Sequence, residues 1–236
     1  MLEELFRNGT LEMSASPVAG LAADLRWIDL LPNRILALVS VTLLVLSLRD
    51  LFLLIPHLLY CYDRPRGAEA LEHSLGMARL RNGLAIAYIL PFGLILDRFA
   101  VLRPAFWDAI PPAWSAAATV WLVSAYALVR TICYLLFRPR RLGAEAAATL
   151  HHNLYNYLFL ALPLMLLLTL VWTMGQLPEA LAGTVLRWIL AIVWAFGILR
   201  SGQILRAYRS GLSTFLYLCA LEFLPAALLV AVVVYF

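Results

Sequence analysis

Long apolar runs separated by short polar connections dominate this sequence from about residue 30 onward. A run of about 20 apolar residues is long enough to cross the roughly 30 Å hydrocarbon core of a bilayer as an α-helix. The pattern therefore predicts an all-α, polytopic transmembrane helical bundle of about six spans. Residues 33–236 form the predicted transmembrane domain, and residues 1–32 a polar, interfacial segment. The predicted spans cover about residues 30–48, 84–101, 116–137, 155–174, 184–199 and 212–236.

The first span has two interpretations, because Arg49 and Asp50 interrupt its apolar run. Either one long helix continues to Tyr60, or the span ends at Leu48 and an interfacial helix follows. That second helix would have the sequence LFLLIPHLLYCY and would break at Pro56. Neighbouring residues point about 100° apart on a helix, so an adjacent Arg and Asp neutralise each other poorly in lipid. This favours the second interpretation.

The composition supports a membrane protein. Of the 236 residues, 64% are hydrophobic and 14% are charged, and the mean hydropathy is +0.87. A soluble domain of this length could not hide so much apolar surface. All 18 cations are arginines, and they lie at the ends of apolar runs rather than along one stripe. This distribution is typical of orientation signals and argues against nucleic-acid binding, despite a net charge of +4.

Most arginines fall in the connections after spans one, three and five. By the positive-inside rule these connections are predicted to be cytoplasmic, which places both termini outside. Their arginines could form a basic collar that binds anionic lipid headgroups, although topology signalling alone explains the same residues. The predicted collar consists of Arg79, Arg81, Arg138, Arg140, Arg141, Arg206 and Arg209.

Spans two, four and six share a short pattern in which Leu precedes Pro and another Leu follows three residues later. The segments read ILPFGLIL, ALPLMLLL and FLPAALLV, and their prolines are Pro91, Pro163 and Pro225. Each proline predicts a helix kink, because it lacks the N–H that would complete a helical hydrogen bond. The chain could then consist of three helical hairpins, each with a straight and a kinked helix. Chance recurrence in a leucine-rich chain is the alternative.

Glu222 is the leading candidate for a functional residue, since it lies near the middle of the last span, three residues before Pro225. An ionised carboxylate at bilayer depth costs several kcal/mol, so this side chain should face protein, be paired or be protonated. Arg130, in the same half of the membrane, is the expected partner of a structural ion pair. A role in transport or catalysis is the alternative. Tyr217 and Tyr88 are the other intramembrane polar candidates.

His151 and His152 stand together at the entry to the fourth span. Adjacent positions lie on different sides of a helix, so the pair lacks the i, i+4 spacing of a helical metal site. The sequence contains no GxSxG motif, no CxxC pair and no glycine-rich phosphate loop. We therefore predict no metal, no cofactor and no catalytic residue, and the pattern leans away from an enzyme.

The segments ILRAYRSG and LYLCALEFLPAALLV resemble the carboxy-terminal signature of a family of multi-pass inner-membrane proteins from Bacteroidota, domain of unknown function 4271. A thinner resemblance extends through ARLRNGL and YNYLFLALPLMLLL and covers most of the chain after about residue 35. Its most specific part holds Tyr217, Cys219, Glu222 and Pro225. The resemblance implies a multi-pass helical fold in the bacterial cytoplasmic membrane, with no agreed activity.

Three functions are compatible with this pattern. A non-enzymatic scaffold or assembly factor of the cell envelope, with a membrane-protein partner, is favoured because the loops are small. A small-solute or proton-coupled transporter would use Glu222 at the proline-broken helix and would need an aqueous cavity that reaches this side chain. A lipid-handling enzyme would need His151 or His152 to converge with the basic collar on a single point.

Overall fold

The structure is a computed structural model that describes residues 27–63, 71–137, 143–175, 178–208 and 210–235. These residues form six long helices, with no β-strand in the ranges given. All six are long and apolar enough to cross a membrane, which confirms the predicted six-span bundle. The helices are α1 (Leu31–Asp63), α2 (Leu75–Arg98), α3 (Ser115–Leu136), α4 (Ala144–Met174), α5 (Glu179–Tyr208) and α6 (Gly211–Tyr235). Short 3₁₀ turns cover Trp27–Asp29, Ala105–Ala109 and Pro112–Trp114.

The first helix corrects the favoured interpretation of the first span. α1 runs without interruption for 33 residues, past Leu48 and the charged pair after it, and through Pro56. Leu54 and Leu58, which follow the charged pair, are buried in the main apolar core. The helix packs against α2 and α4, and this packing supports the turns that we expected to be a separate interfacial helix.

α4 and α5 are longer than predicted. α4 begins at Ala144 rather than near residue 155, and α5 continues to Tyr208 rather than ending near residue 199. The additional turns form a second apolar core with α3 and α6, which includes Leu150, Leu205 and Leu221. Burial of these side chains explains why the helices extend beyond the predicted spans.

Five of the helices close into a ring, and α1 lies outside it. α2 packs on α3 and α4, α4 packs on α5, and α6 packs on α3 and on the last part of α5. These contacts cross the boundaries of the predicted hairpins, because α2 packs on α3 and α4 packs on α5. Helix packing therefore does not single out three hairpins. We call the end of the bundle where α1, α3 and α5 finish the basic end, because arginine-rich connections follow there.

Three helices contain the prolines of the shared Leu-Pro pattern and continue through them, as α1 does through Pro56. Pro91 lies inside α2, Pro163 inside α4 and Pro225 inside α6. The surroundings of the three differ, since Pro91 and Pro225 are buried and Pro163 is half-buried. The predicted kinks at these positions stay a prediction.

α6 changes its hydrogen-bond pattern near its middle. The Leu224 N–H donates to the carbonyl of Cys219, five residues back, and closes a π turn. Such turns insert one extra residue into an α-helix and occur frequently at functional sites. Glu222 lies within this turn, so its side chain points in a different direction from that of an uninterrupted α-helix. The three parts of α6 are Gly211–Leu218 (α), Cys219–Phe223 (π) and Leu224–Tyr235 (α).

Candidate functional site

Arg130 of α3 and Glu222 of α6 form a buried ion pair inside the ring. Nη2 of Arg130 donates to Oε1 of Glu222 at 2.8 Å, and Nε donates to Oε2 at 3.3 Å. The side chains expose 0% and 2% of their surface. The guanidinium and the carboxylate therefore meet through two parallel hydrogen bonds, the strongest arrangement open to such a pair. This is the partner that we expected for Glu222.

Further groups surround both charges. Tyr134 donates its hydroxyl hydrogen to Oε1 of the carboxylate at 2.7 Å, and Ser201 donates to the same oxygen at 3.3 Å. On the other side, Nη1 of the guanidinium donates to the backbone carbonyl of His151 at 2.7 Å. The guanidinium carbon lies 5.0 Å from the centre of the Tyr155 ring, within cation–π distance. These contacts compensate both charges for the loss of water.

The contacts around the ion pair connect four helices. Asn153 of α4 extends them, because its Nδ2 donates to the carbonyl of Gly197 at 2.9 Å and to Oγ of Ser201 at 3.1 Å. Each of α3, α4, α5 and α6 thus contributes at one depth, which fixes the helices relative to one another. We call Arg130, Tyr134, Asn153, Ser201 and Glu222 the ion-pair network.

A second buried charged cluster lies at the basic end. Arg81 of α2 is 1% exposed and forms an ion pair with Glu72, which precedes α2. Nη2 of Arg81 also lies 2.9 Å from Nδ1 of His152 on α4. Burial by itself would raise the pKa of the Glu72 carboxyl, but hydrogen bonds from His152 and Arg81 outweigh it and lower the pKa to about 2. Glu72 is therefore ionised and neutralises Arg81.

The two adjacent histidines face different partners. Nε2 of His151 lies 3.3 Å from the hydroxyl of Thr131 on α3, and its ring meets that of Tyr134 edge-on. Nδ1 of His152 lies 3.1 Å from Oε1 of Glu72. The divergence follows from neighbouring positions on α4, as predicted. Within the described ranges, no group of three His, Cys, Asp or Glu residues could hold a metal ion.

The residues of the predicted basic collar do not all have the same surroundings in the structure. Arg79 and Arg206 are exposed and could meet headgroups. The prediction that Arg81 belongs to this collar is wrong, because its side chain is buried and its charge is already paired with Glu72. The sequence gives no sign of this difference, since the partner lies in the connection rather than at a helical spacing. The remaining collar residues, Arg138, Arg140, Arg141 and Arg209, lie outside the described residues.

The centre of the ring holds a cavity of about 440 Å³. Its walls come from α2 to α6 and from the loop after α2, and they consist of aliphatic and aromatic side chains. Two phenols of the lining stand near the ion pair. Tyr126 lies one turn before Arg130 on α3, and the ring of Tyr155 is within cation–π distance of the Arg130 guanidinium. No charged side chain is among the described residues that line the cavity, and Glu222 does not line it.

The two tyrosines predicted as intramembrane candidates have separate surroundings. Tyr88 of α2 is buried, lines the cavity and accepts a hydrogen bond from Ser47 of α1 at 3.4 Å. Tyr217 of α6 is half-buried and packs against the second apolar core near the basic end. The structure therefore brings Glu222 and Arg130 together, whereas Tyr88 and Tyr217 lie outside the ion-pair network.

Asp97, near the end of α2, organises the opposite end of the bundle. Its carboxylate accepts hydrogen bonds from the indole N–H of Trp27 at 2.7 Å, from Thr119 at 3.0 Å and from Ser115 at 3.2 Å. These bonds tie the residues ahead of α1 to α2 and α3. We did not predict this site, because its donors, Trp27 and two residues of α3, are distant in the sequence from each other and from Asp97.

Comparison with protein-family models, with curated proteins and with solved structures finds no match to this chain. The resemblance to domain of unknown function 4271 therefore stays a prediction. The six spans make the chain a multi-pass membrane protein.

Proposed function

We propose that this chain is a non-enzymatic scaffold or assembly factor of the bacterial cell envelope, in the cytoplasmic membrane, and that the ion-pair network holds its helices in register. The main support is that the ion pair is buried and that its carboxylate already has hydrogen-bond partners within the protein. Glu222 already accepts hydrogen bonds from Arg130, Tyr134 and Ser201, and it is 2% exposed. A buried carboxylate that already has these donors is poorly placed to bind a solute or a coupling ion.

The shape of the chain also supports a scaffold. The longest connection between helices, residues 99–114, is short and contains 3₁₀ turns rather than a domain. The described residues therefore offer a partner mainly their membrane-embedded surface. A membrane protein of an envelope complex is the kind of partner that fits this surface.

The transporter alternative has less support. It needs an aqueous path to Glu222, whereas the cavity in the ring is apolar and is not lined by this residue. Apolar cavities stay dry even when they are large enough for water. The described residues thus provide no polar route to the carboxylate.

The lipid-handling enzyme also has less support. Arg81 and His152 do come within hydrogen-bond distance, as that alternative required. The charge of Arg81 is neutralised by Glu72, however, and the guanidinium is buried. A phosphate group would have to displace Glu72 before it could bind there.

The proposed function can be tested by replacing both charges with apolar residues of similar size, Arg130→Met together with Glu222→Leu. Such double replacements of buried ion pairs often preserve folding. We expect the double variant to support growth of a deletion strain and to co-purify with the same membrane proteins as the wild type. A double variant that folds like the wild type in detergent but fails in these assays would contradict the proposal.

A flux assay separates the scaffold from the carrier. In proteoliposomes under an imposed pH gradient, we expect the wild type and a Glu222→Gln variant to give the same low proton leak. Proton flux in the wild type that is lost in a folded Glu222→Gln variant would favour the transporter.

A further inference from the structure

The cavity in the ring is too large to be a packing defect. Protein interiors contain few voids larger than a water molecule. A volume of about 440 Å³ instead lies in the range of pockets that bind small ligands. The cavity follows α2 from Ala85 to Leu96, which corresponds to about 16 Å at 1.5 Å per residue. It is therefore long as well as large.

The lining of the cavity favours hydrocarbon over water or ions. Its described walls are aliphatic and aromatic, with no charged group. An empty cavity of this size would forfeit the dispersion contacts of all the side chains around it. In a bilayer, the abundant apolar molecules that could restore those contacts are the lipid chains.

The cavity reaches the lipid-facing surface between α5 and the second half of α6, and also at Ile86 of α2, which is 76% exposed. The first part of α6, Gly211–Leu218, packs on α5, whereas the part after the π turn packs mainly on α3. Trp194 of α5 and Phe223 of α6 meet edge-on, 5.4 Å apart, where the two helices separate. Beyond this contact, Ala191 and Val230 line the cavity from the two helices, and both are exposed, Val230 by 58%.

We propose that the cavity binds one fatty-acyl chain of a bilayer phospholipid, which enters through the opening between α5 and α6. The π turn lies where α6 stops packing on α5 and begins to pack on α3, and this change in packing produces the opening. Trp194 and Phe223 form its floor, and the ion-pair network closes the bundle below them. This binding site is independent of the scaffold role.

Photolabelling of the full chain in nanodiscs tests the site. The nanodisc phospholipid carries a diazirine on one acyl chain, and mass spectrometry locates the labelled residues. Phe159 and Leu162 of α4 line the cavity and are buried, so lipid around the protein cannot reach them. Leu164 and Leu167 of the same helix are exposed and face the bilayer. We expect labels on both pairs, and labels confined to Leu164 and Leu167 would overturn the proposal.

A matched pair of variants sharpens this test. Ala226→Phe places a ring in the cavity, and Ala227→Phe places the same ring at the next position, which is exposed. We expect the first variant to lose most of the label on Phe159 and Leu162 and the second to keep it. Label on Leu164 should not change in either variant.

A second filling variant guards against misfolding. If Ala226→Phe fails to fold, Ala191→Phe narrows the opening from the α5 side and should cause the same loss of label. Unchanged cavity label in a folded filling variant would overturn the proposal.

Nanodiscs doped with a diazirine isoprenoid distinguish the kind of chain that occupies the cavity. Cavity label from the isoprenoid, with none from the acyl probe, would also overturn the assignment to a phospholipid acyl chain.

Discussion

The two halves of the helix ring are filled in opposite ways. Toward the basic end, charged and polar side chains meet in the centre and bond across α3, α4, α5 and α6. Toward the other end, the centre is an apolar cavity of about 440 Å³. The π turn at Cys219–Phe223 lies at the border. Buried charges require partners at fixed positions and so hold helices together, whereas an apolar cavity leaves neighbouring helices free to separate and admit a chain.

Removing one charge should have the largest effect, because it leaves the other charge buried without a partner. We expect Glu222→Leu alone to lower the free energy of unfolding by about 3–5 kcal/mol. The Arg130→Met, Glu222→Leu double variant should recover most of this loss. Unfolding by SDS in mixed micelles measures both. A single variant that loses less than about 1 kcal/mol would show that the pair does not stabilise this half of the ring.

Two tyrosines of α3, one in each half of the ring, allow the stability of the two halves to be compared directly. Tyr134 donates to Glu222, so Tyr134→Phe should cost about 1.5–3 kcal/mol, as for hydrogen bonds to charged groups. Tyr126 lines the cavity instead, and Tyr126→Phe should stay within about 0.5 kcal/mol of the wild type. Equal losses in the same unfolding assay would contradict the division between the halves.

The second charged cluster predicts a dependence of stability on pH. The pKa of Glu72 in the folded protein, about 2, lies below the ordinary value of 4.5. Between these values the unfolded chain binds more protons, so this contribution is complete above about pH 4.5 and is lost as the pH falls toward 2. We expect a loss on the order of 2 kcal/mol across this window, measured by unfolding in micelles.

Glu72→Gln is the control for that measurement. The variant lacks the titrating carboxyl, so its stability should be lower at neutral pH and should change less between pH 4.5 and pH 2. The same pH dependence in the wild type and in Glu72→Gln would mean that other groups control acid unfolding.

Much of the fold could be predicted from the sequence, because the length of an apolar run is enough to identify a transmembrane helix. The Arg130–Glu222 pair was also predictable, since two opposite charges at similar depth in apolar helices have few other ways to be satisfied. The burial of Arg81 was not, because it depends on Glu72 in a connection and on His152 of a distant helix. The continuation of α1 past Leu48 depends likewise on packing with other helices.

The border between the halves could not be predicted. The proline pattern around Pro225 recurs at Pro91 and Pro163 in helices whose described form is α throughout, so this pattern does not identify the helix that contains the π turn. The cavity depends on how α5 and α6 separate, which is a property of the assembled ring.

The access of water to the ion-pair network can be measured most directly with a cysteine at its centre. Ser201 is fully buried there, whereas Ser210, just before α6, is exposed. In a chain whose native Cys61, Cys133 and Cys219 are replaced, Ser201→Cys and Ser210→Cys are treated with a membrane-impermeant, water-soluble thiol reagent in native membranes. We predict that Ser210→Cys reacts when its side of the membrane is open to the reagent and that Ser201→Cys reacts only after denaturation. Rapid labelling of Ser201→Cys in the folded protein would contradict a dry, structural ion-pair network.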